Sequence, residues 1–160
     1  MTATEMRARE VRPADVPQVI DLVRDVLAEF GLRFGEGSGT DEEVTRLPDS
    51  YVDQGGRFWV GVDANDLIVG TCGVFPVGEG TFELRKMYLR PHARGTGAGQ
   101  LLFDTCLDFV RASGAKRLVL DTTHDMTRAI AFYERNGFVR DDAQIRGARC
   151  SRGYTRDLSR

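Results

Sequence analysis

The sequence predicts an α/β or α+β domain built on a mixed sheet, and three observations carry that prediction. Between residues 58 and 89, three strand-like runs follow one another through connections too short for anything but antiparallel neighbours. Downstream, residues 100–110, 117–121 and 127–135 alternate helical and extended patterns, the order that produces a parallel crossover. Upstream, Val16, Val19, Ile20, Val23, Leu27 and Phe30 recur at the spacing of one helical face.

Taken in order, an apolar-polar start ends at Val11. Arg12-Pro13-Ala14-Asp15 then offers a helix entry in which Asp15 is expected to cap the amides that follow. The first helix should end near Gly31, whose missing Cβ suits a C-terminal cap. Residues 31–39 hold four glycines and read as a flexible connection. Thr40-Asp41-Glu42-Glu43 has the form of a capping box, predicting a second helix that is interrupted or stopped near Pro48. After the Gly55-Gly56 break, Phe58 to Val62 and Leu67 to Phe75 predict a hairpin around a turn at residues 63–66. Phe58, Trp59 and Phe75 belong to that hairpin and to the core. Pro76 and Gly78-Glu79-Gly80 make the next turn. Residues 81–89 form a third strand, ended by Pro91, which cannot donate to a ladder.

In residues 100–110, Leu102, Cys106, Phe109 and Val110 define one helical face, closed by Ser113-Gly114. Residues 117–121 are a short strand and residues 127–135 a helix. Asn136-Gly137 is that helix's left-handed exit, and Phe138-Val139 starts another strand. Residues 150–158 supply the last. The order is β-α-α-β-β-β-α-β-α-β-β.

At 160 residues the chain fits one domain, expected to span residues 1–160. Lys+Arg 22 nearly balances Asp+Glu 24, so no basic face exists for nucleic acid or an anionic membrane. Any anionic ligand must be held locally. Cys72, Cys106 and Cys150 are odd in number and lack metal-ligand or CxxC spacing, which argues against a disulfide framework and for reduced thiols. The opening ten residues carry acids and arginines where a signal peptide needs an apolar run, and no stretch approaches a membrane span. The expected location is cytoplasmic.

Arg94-Gly95-Thr96-Gly97-Ala98-Gly99 stands between a strand and a helix, where unpaired helix amides and a partial positive charge attract an anion. Three glycines in five residues are costly as structure alone, since each loses about 1 kcal/mol against alanine inside a helix. No Gly-Lys-Ser/Thr ending follows, so a Walker loop is excluded. A dinucleotide fingerprint needs a third glycine at position 100 or 102, which are Gln100 and Leu102.

The Arg-x-x-Gly-x-Gly pattern of Arg94, Gly97 and Gly99 resembles the GNAT superfamily of N-acetyltransferases. Two further segments carry the resemblance: Glu83-Leu84-Arg85-Lys86-Met87-Tyr88-Leu89-Arg90-Pro91 before the loop, and Ala129-Ile130-Ala131-Phe132-Tyr133-Glu134-Arg135-Asn136-Gly137-Phe138 after it. The resemblance implies a GNAT-like, mostly antiparallel sheet of six to seven strands, flanked by about four helices, with the fourth and fifth strands splayed. It implies an acetyl-CoA-dependent N-acetyltransferase. The coenzyme A pyrophosphate is expected on the amides of Gly95, Thr96, Gly97, Ala98, Gly99 and Gln100, next to Arg94. The backbone of Met87, Tyr88 and Leu89 would pair with the pantetheine arm. Relatives often place an asparagine where Met126 stands, so that pantetheine contact does not carry over.

Acyl transfer needs an uncharged amine, yet an amine with a lysine-like pKa is only about 0.04% neutral at pH 7. Glu83, on the strand lining the implied thioester slot, is the candidate base. A glutamate there can equally bind the substrate ammonium, act through a water, or pair with Arg85 or Lys86. Tyr133 is the candidate acid, at the position from which relatives reach the coenzyme A sulfur; helical spacing from Ala129 and Ile130 also fits a core role. His92 and His124 fall in predicted loops as solvated residues, and no metal is implied.

The segments that usually set acceptor choice in this superfamily are residues 31–40 and 141–153 here. Arg146, Arg149 and Arg152 in the second could hold a carboxylate on an amino-acid-like acceptor or form a solvated turn. The expected acceptor is a small-molecule amine. A protein lysine or N-terminus, and a noncatalytic acyl-CoA-binding sensor, are the alternatives. A homodimer is compatible with the resemblance.

Overall fold

The computed structural model describes residues 5–159. Of the opening stretch considered above, residues 1–4 lie outside the described residues.

Seven strands form one sheet in the order β1-β2-β3-β4-β5-β7-β6. They are β1 (Arg7–Glu10), β2 (Arg57–Val62), β3 (Ile68–Gly78), β4 (Thr81–Leu89), β5 (Arg117–Thr122), β6 (Val139–Arg140) and β7 (Arg152–Asp157). Every neighbouring pair is antiparallel except β4 and β5, which are parallel. Five α-helices accompany them: α1 (Val16–Ala28), α2 (Asp41–Val44), α3 (Asp49–Val52), α4 (Ala98–Ala112) and α5 (Thr127–Arg135). The predicted α/β architecture with its mostly antiparallel sheet is therefore present, with one helix more than expected. The second helix is split, with a cis Leu47-Pro48 bond at the break.

The sheet lies between two apolar layers because its strands alternate. Phe58, Val60 and Val62 of β2 pack with Val19, Leu22, Val23, Val26 and Leu27 of α1. Trp59 of the same strand joins Leu102, Cys106 and Val110 of α4 on the opposite face, with Ile130 and Tyr133 of α5. Phe109 is only partly buried, and its ring meets Trp59 edge-on with centroids 5.5 Å apart.

Two predicted helix starts are built differently from the sequence reading. Asp15 does not cap α1: Pro17 at the second position has no N–H to offer, and the Asp15 carboxylate turns back to accept from Arg12 N (2.7 Å) and Arg9 (2.8 Å). Thr40 makes no side-chain cap for α2; its hydroxyl contacts Ser38 at 2.8 Å, and Glu43 reaches across to Arg85 instead. Both acids are engaged by guanidinium groups, Asp15 by Arg9 and Glu43 by Arg85.

Among the described residues no helix is long and apolar enough to cross a membrane.

Candidate active site

The site begins where β4 and β5 stop pairing. Their parallel ladder has three rungs, Thr81 with Arg117, Phe82 with Leu118 and Glu83 with Val119. Beyond Glu83, β4 pairs only with β3, while Leu120, Asp121 and Thr122 of β5 pair only with β7. The strands part as the resemblance implied. A bulge in β4 sharpens the divergence: Lys86 takes φ +53°, and the register to β3 shifts between Gly73–Arg85 and Thr71–Tyr88. Thr71 Oγ1 donates to the Lys86 carbonyl at 2.6 Å and holds the bulge in place.

Two cavities open along this gap. The larger, about 540 Å³, runs between the end of β4, the glycine-rich loop and the start of α5. The smaller, about 280 Å³, lies between Glu83, the bulge and the loops at residues 31–40 and 141–151. Met87, Tyr88, Met126 and Tyr133 line both cavities. The two cavities therefore adjoin at these four residues.

The larger cavity brings together Met87, Tyr88, Leu89, Arg94, Gly95, Gly97, Gly99 and Gln100. Gly97 caps α4 with φ +91°, a conformation that only glycine adopts without strain. Among the described residues, the N–H groups of Gly95, Thr96, Gly97, Gly99 and Gln100 donate to no other protein group; Ala98 N reaches Thr96 Oγ1 at 3.3 Å. Such a cradle of free donors at a helix start suits an anion. Thr96 and Ala98 do not line the cavity. The Thr96 hydroxyl donates to Ala93 O at 2.5 Å, and Ala98 is fully buried beneath the loop. Arg94 forms a two-bond fork with Glu29, the residue that follows α1, both at 2.8 Å, and donates to Leu89 O at 3.0 Å, so its side chain ties the loop to β4 and to the end of α1. Arg128 is a cation that sequence reasoning missed. It is exposed on the cavity wall, with Nη2 3.8 Å from where a Gly95 Cβ would stand. Only its place in the first turn of a helix facing the loop could have signalled it.

In the smaller cavity Glu83 is 3% exposed. Its Oε1 accepts from Arg85 Nε at 2.5 Å and its Oε2 from Arg146 Nη1 at 3.2 Å. Arg85 also reaches Glu43 at 3.0 Å and lies over the Phe75 ring at 4.2 Å. Burial pushes the Glu43 carboxyl up despite that neighbour. Lys86, one of the partners foreseen for Glu83, instead donates to Asp41, which is fully buried. Arg149 grips the same carboxylate at 2.8 and 3.0 Å. Burial alone would raise the Asp41 carboxyl; Arg149 and Lys86 outweigh it and hold the group below its usual value. Burial lowers the Lys86 ammonium in spite of Asp41.

Tyr133 is both core and site. It is 7% exposed, packs edge-on to Phe138 with centroids 5.8 Å apart, and lines both cavities. Burial pushes its phenol well above the usual tyrosine value, so it carries its proton at neutral pH. Neither His92 nor His124 reaches the cavities; His124 is exposed and contacts Ser151 at 3.1 Å. Of the three late arginines, Arg146 faces Glu83, Arg149 is tied to Asp41, and Arg152 opens β7 outside both cavities.

Known proteins are similar to this chain in sequence and in fold. The family model described as acetyltransferase (GNAT) family matches residues 22–138. An uncharacterized N-acetyltransferase of Escherichia coli, YjgM, is 33% identical over 138 residues, covering 84% of this chain and 82% of that one. The crystal structure of a GNAT-family acetyltransferase from Staphylococcus aureus superposes with a TM-score of 0.89 at 21% identity, covering 96% of this chain and 99% of the other. The PaiA N-acetyltransferase of Thermoplasma acidophilum, solved in complex with coenzyme A, superposes with a TM-score of 0.76 at 16% identity, covering 96% and 99%.

Proposed function

The chain belongs to the acetyltransferase (GNAT) family, and from that premise we propose that it moves the acetyl group of acetyl-CoA directly onto a primary amine of a small molecule. One observation carries the proposal: the two cavities, one bordered by free helix-start amides and the other by a buried carboxylate, meet at Met87, Tyr88, Met126 and Tyr133.

The larger cavity fits coenzyme A in chemistry and shape. Five unpaired amides from Gly95 to Gln100 suit a pyrophosphate, and Arg128 beside them adds positive charge. The edge of β4 at Met87, Tyr88 and Leu89 has no strand partner on the β5 side, although Arg94 takes the Leu89 carbonyl, and can accept an extended arm as an added strand. Met126 supplies an apolar wall where relatives carry a polar contact. The bound thioester contributes an activated acetyl group, whose transfer exchanges a C–S bond for a C–N bond and releases a free thiol.

The residues of the chain supply position and protons. Glu83 stands in the acceptor cavity as the proton acceptor for the incoming ammonium, and general-base help of this kind is worth about 10² to 10⁴ in rate. Tyr133, held protonated by burial, donates to the departing sulfur. No nucleophilic cysteine is needed: Cys72 and Cys106 are fully buried in the core, and Cys150 is held protonated by burial, its pKa pushed up to about 12. A cavity of about 280 Å³ enclosed by two loops suits a small amine better than a lysine on a protein surface. A cytoplasmic setting, as the sequence led us to expect, is part of the same proposal. We take the chain as one catalytic domain, with no nucleic acid or membrane partner.

The test follows thiol release from acetyl-CoA across a panel of amines and peptides. Stimulation by one or more small amines is expected, with kcat reduced about 10² to 10⁴ in Glu83→Gln. Release stimulated by no amine, alongside tight coenzyme A binding, would make the protein a sensor. Preference for ATP over coenzyme A in calorimetry would remove the donor assignment.

A further inference from the structure

We infer that the acceptor is an α-amino-acid-like amine whose own carboxylate is taken by Arg146, and that this carboxylate draws Arg146 off the Glu83 base. The inference rests on the acetyltransferase reading above and gives that reading a substrate class.

Four cations line the smaller cavity, and their partners separate them. Arg85 bridges Glu83 and Glu43 and has 12% of its side chain exposed. Lys86 and Arg149, 4% and 10% exposed, share the fully buried Asp41. Arg146 differs, with a side chain 42% exposed. Only its Nη1 is engaged, at 3.2 Å to Glu83 Oε2 and 3.2 Å to the Gln144 carbonyl. Among the described residues, its Nη2 and Nε donors meet no protein acceptor. A guanidinium with free donors facing a cavity is built to take a planar anion through two parallel bonds.

The backbone beneath Arg146 is held independently of its side chain. Asp121 Oδ2, at the end of β5, accepts from Arg146 N at 2.7 Å and Gly147 N at 2.8 Å. The loop is therefore clamped to the strand, and the guanidinium can swing from a fixed root.

Distance selects the ligand. Arg146 and Glu83 already touch, so a ligand that meets both must carry its amine and its anion close together. In an α-amino acid the nitrogen and the carboxyl carbon are about 2.5 Å apart by ordinary covalent geometry. The carboxylate then faces the Arg146 donors while the ammonium faces Glu83. A diamine or a long alkylamine offers nothing to Arg146 and leaves its bond to Glu83 unbroken. The carboxylate also compensates the Arg146 charge as Glu83 turns to the ammonium, which transfers one proton to the Glu83 carboxylate and becomes the neutral nucleophile.

The experiment uses matched sets of one α-amino acid, its carboxamide and its decarboxylated amine, over several side chains, with wild type, Arg146→Met and Arg146→Lys. Steady-state thiol release should favour the acid over the other two by about ten- to a hundredfold in kcat/KM. Arg146→Met should reduce that preference to within about twofold, and Arg146→Lys, which keeps the charge and loses the fork, should retain part of it. Calorimetry on protein saturated with coenzyme A reads binding without turnover, and the acid should again bind tighter than its amide by the same order in wild type alone. Equal use and equal binding of acid and amide, or no measurable binding of any acid, overturns the inference, as does a uniform loss across all three ligands in Arg146→Met. If amines drive thiol release without this preference, the acetyltransferase reading survives and the carboxylate subsite fails. If nothing drives release yet acids bind selectively, the subsite survives and the catalytic reading fails.

Discussion

Replacing Asp41 with asparagine removes one negative charge from the buried centre of a cluster at the cavity wall and changes almost nothing in volume. The Asp41 carboxylate receives Lys86 Nζ, both terminal nitrogens of Arg149 at 2.8 and 3.0 Å, and Gly35 N at 2.7 Å. In the asparagine variant one oxygen still accepts, but two cations face an uncharged group that is itself fully buried. Breaking a buried ion pair from one side costs about 3–5 kcal/mol. Lys86 can shed its proton to offset part of this, because burial already lowers its pKa. We therefore expect the lower end, about 3 kcal/mol. At about 2–4 °C per kcal/mol for a chain of this size, that is a drop in Tm of roughly 6–12 °C. Urea titration and calorimetry of wild type and variant measure it, and Asp41→Asn combined with Lys86→Met should recover part of the loss. A loss below about 1 kcal/mol, the size of an exposed pair, would refute the argument that this cluster behaves as a buried one. Function should follow stability. Asp41 and Arg149 tether residues 35–37 through Gly35 N and the Glu36 carbonyl, so the acceptor KM should rise before kcat falls.

Other outcomes can be checked alongside. Tyr133→Phe keeps the ring packing and removes the proton donor; kcat should fall about 10², with the amine KM little changed, and an unaltered kcat would exclude the acid role. Gly97→Ala places a Cβ on a residue at φ +91° and should cost about 1–2 kcal/mol of stability together with weaker coenzyme A binding by calorimetry. Binding that is fully retained would detach the loop from the pyrophosphate. Because the Asp41 carboxyl is held below its usual value when folded, the unfolded chain takes up its proton first as the pH falls. That contribution is complete above about pH 5 and should be lost progressively through the unfolded value near about 3.9 and below. Tm against pH should show this slope in wild type and a flatter one in Asp41→Asn.

Much of this architecture was legible because it is written in local patterns. The alternation in β2, the helical spacing of Val19, Val23 and Leu27, and the glycines that open α4 each state their structure within a few residues. The site was legible in its backbone parts for the same reason. Its long-range charge pairings were not, although Arg85 had been foreseen as a partner of Glu83. Asp41 looked like part of a capping box, and its true partners, Lys86 and Arg149, lie 45 and 108 residues away. Glu83 and Arg146 are separated by 63 residues. No periodicity records such contacts. One signal was present: Glu83, Arg85 and Lys86 crowd the middle of a strand between apolar Phe82, Leu84 and Met87, and charges at buried strand positions require counter-charges from elsewhere. The Lys86 bulge belongs to the same class, since it becomes visible only when the register of β4 against β3 is known.

The three rungs between β4 and β5 also make the sheet a pair of compasses. Glu83, on the last rung, sits at the pivot, whereas Leu89 lies six residues out along the arm. That arm is about 20 Å long, so a rotation of about 5° moves its tip by about 1.7 Å and leaves the pivot almost still. Opening wide enough to admit a long, charged carrier and holding a carboxylate steady for proton transfer are opposing demands. Under the roles proposed for these residues, those demands fall at opposite ends of one strand: the carrier would enter where a small angle gives the widest travel, and the chemistry would stay where the same angle changes least.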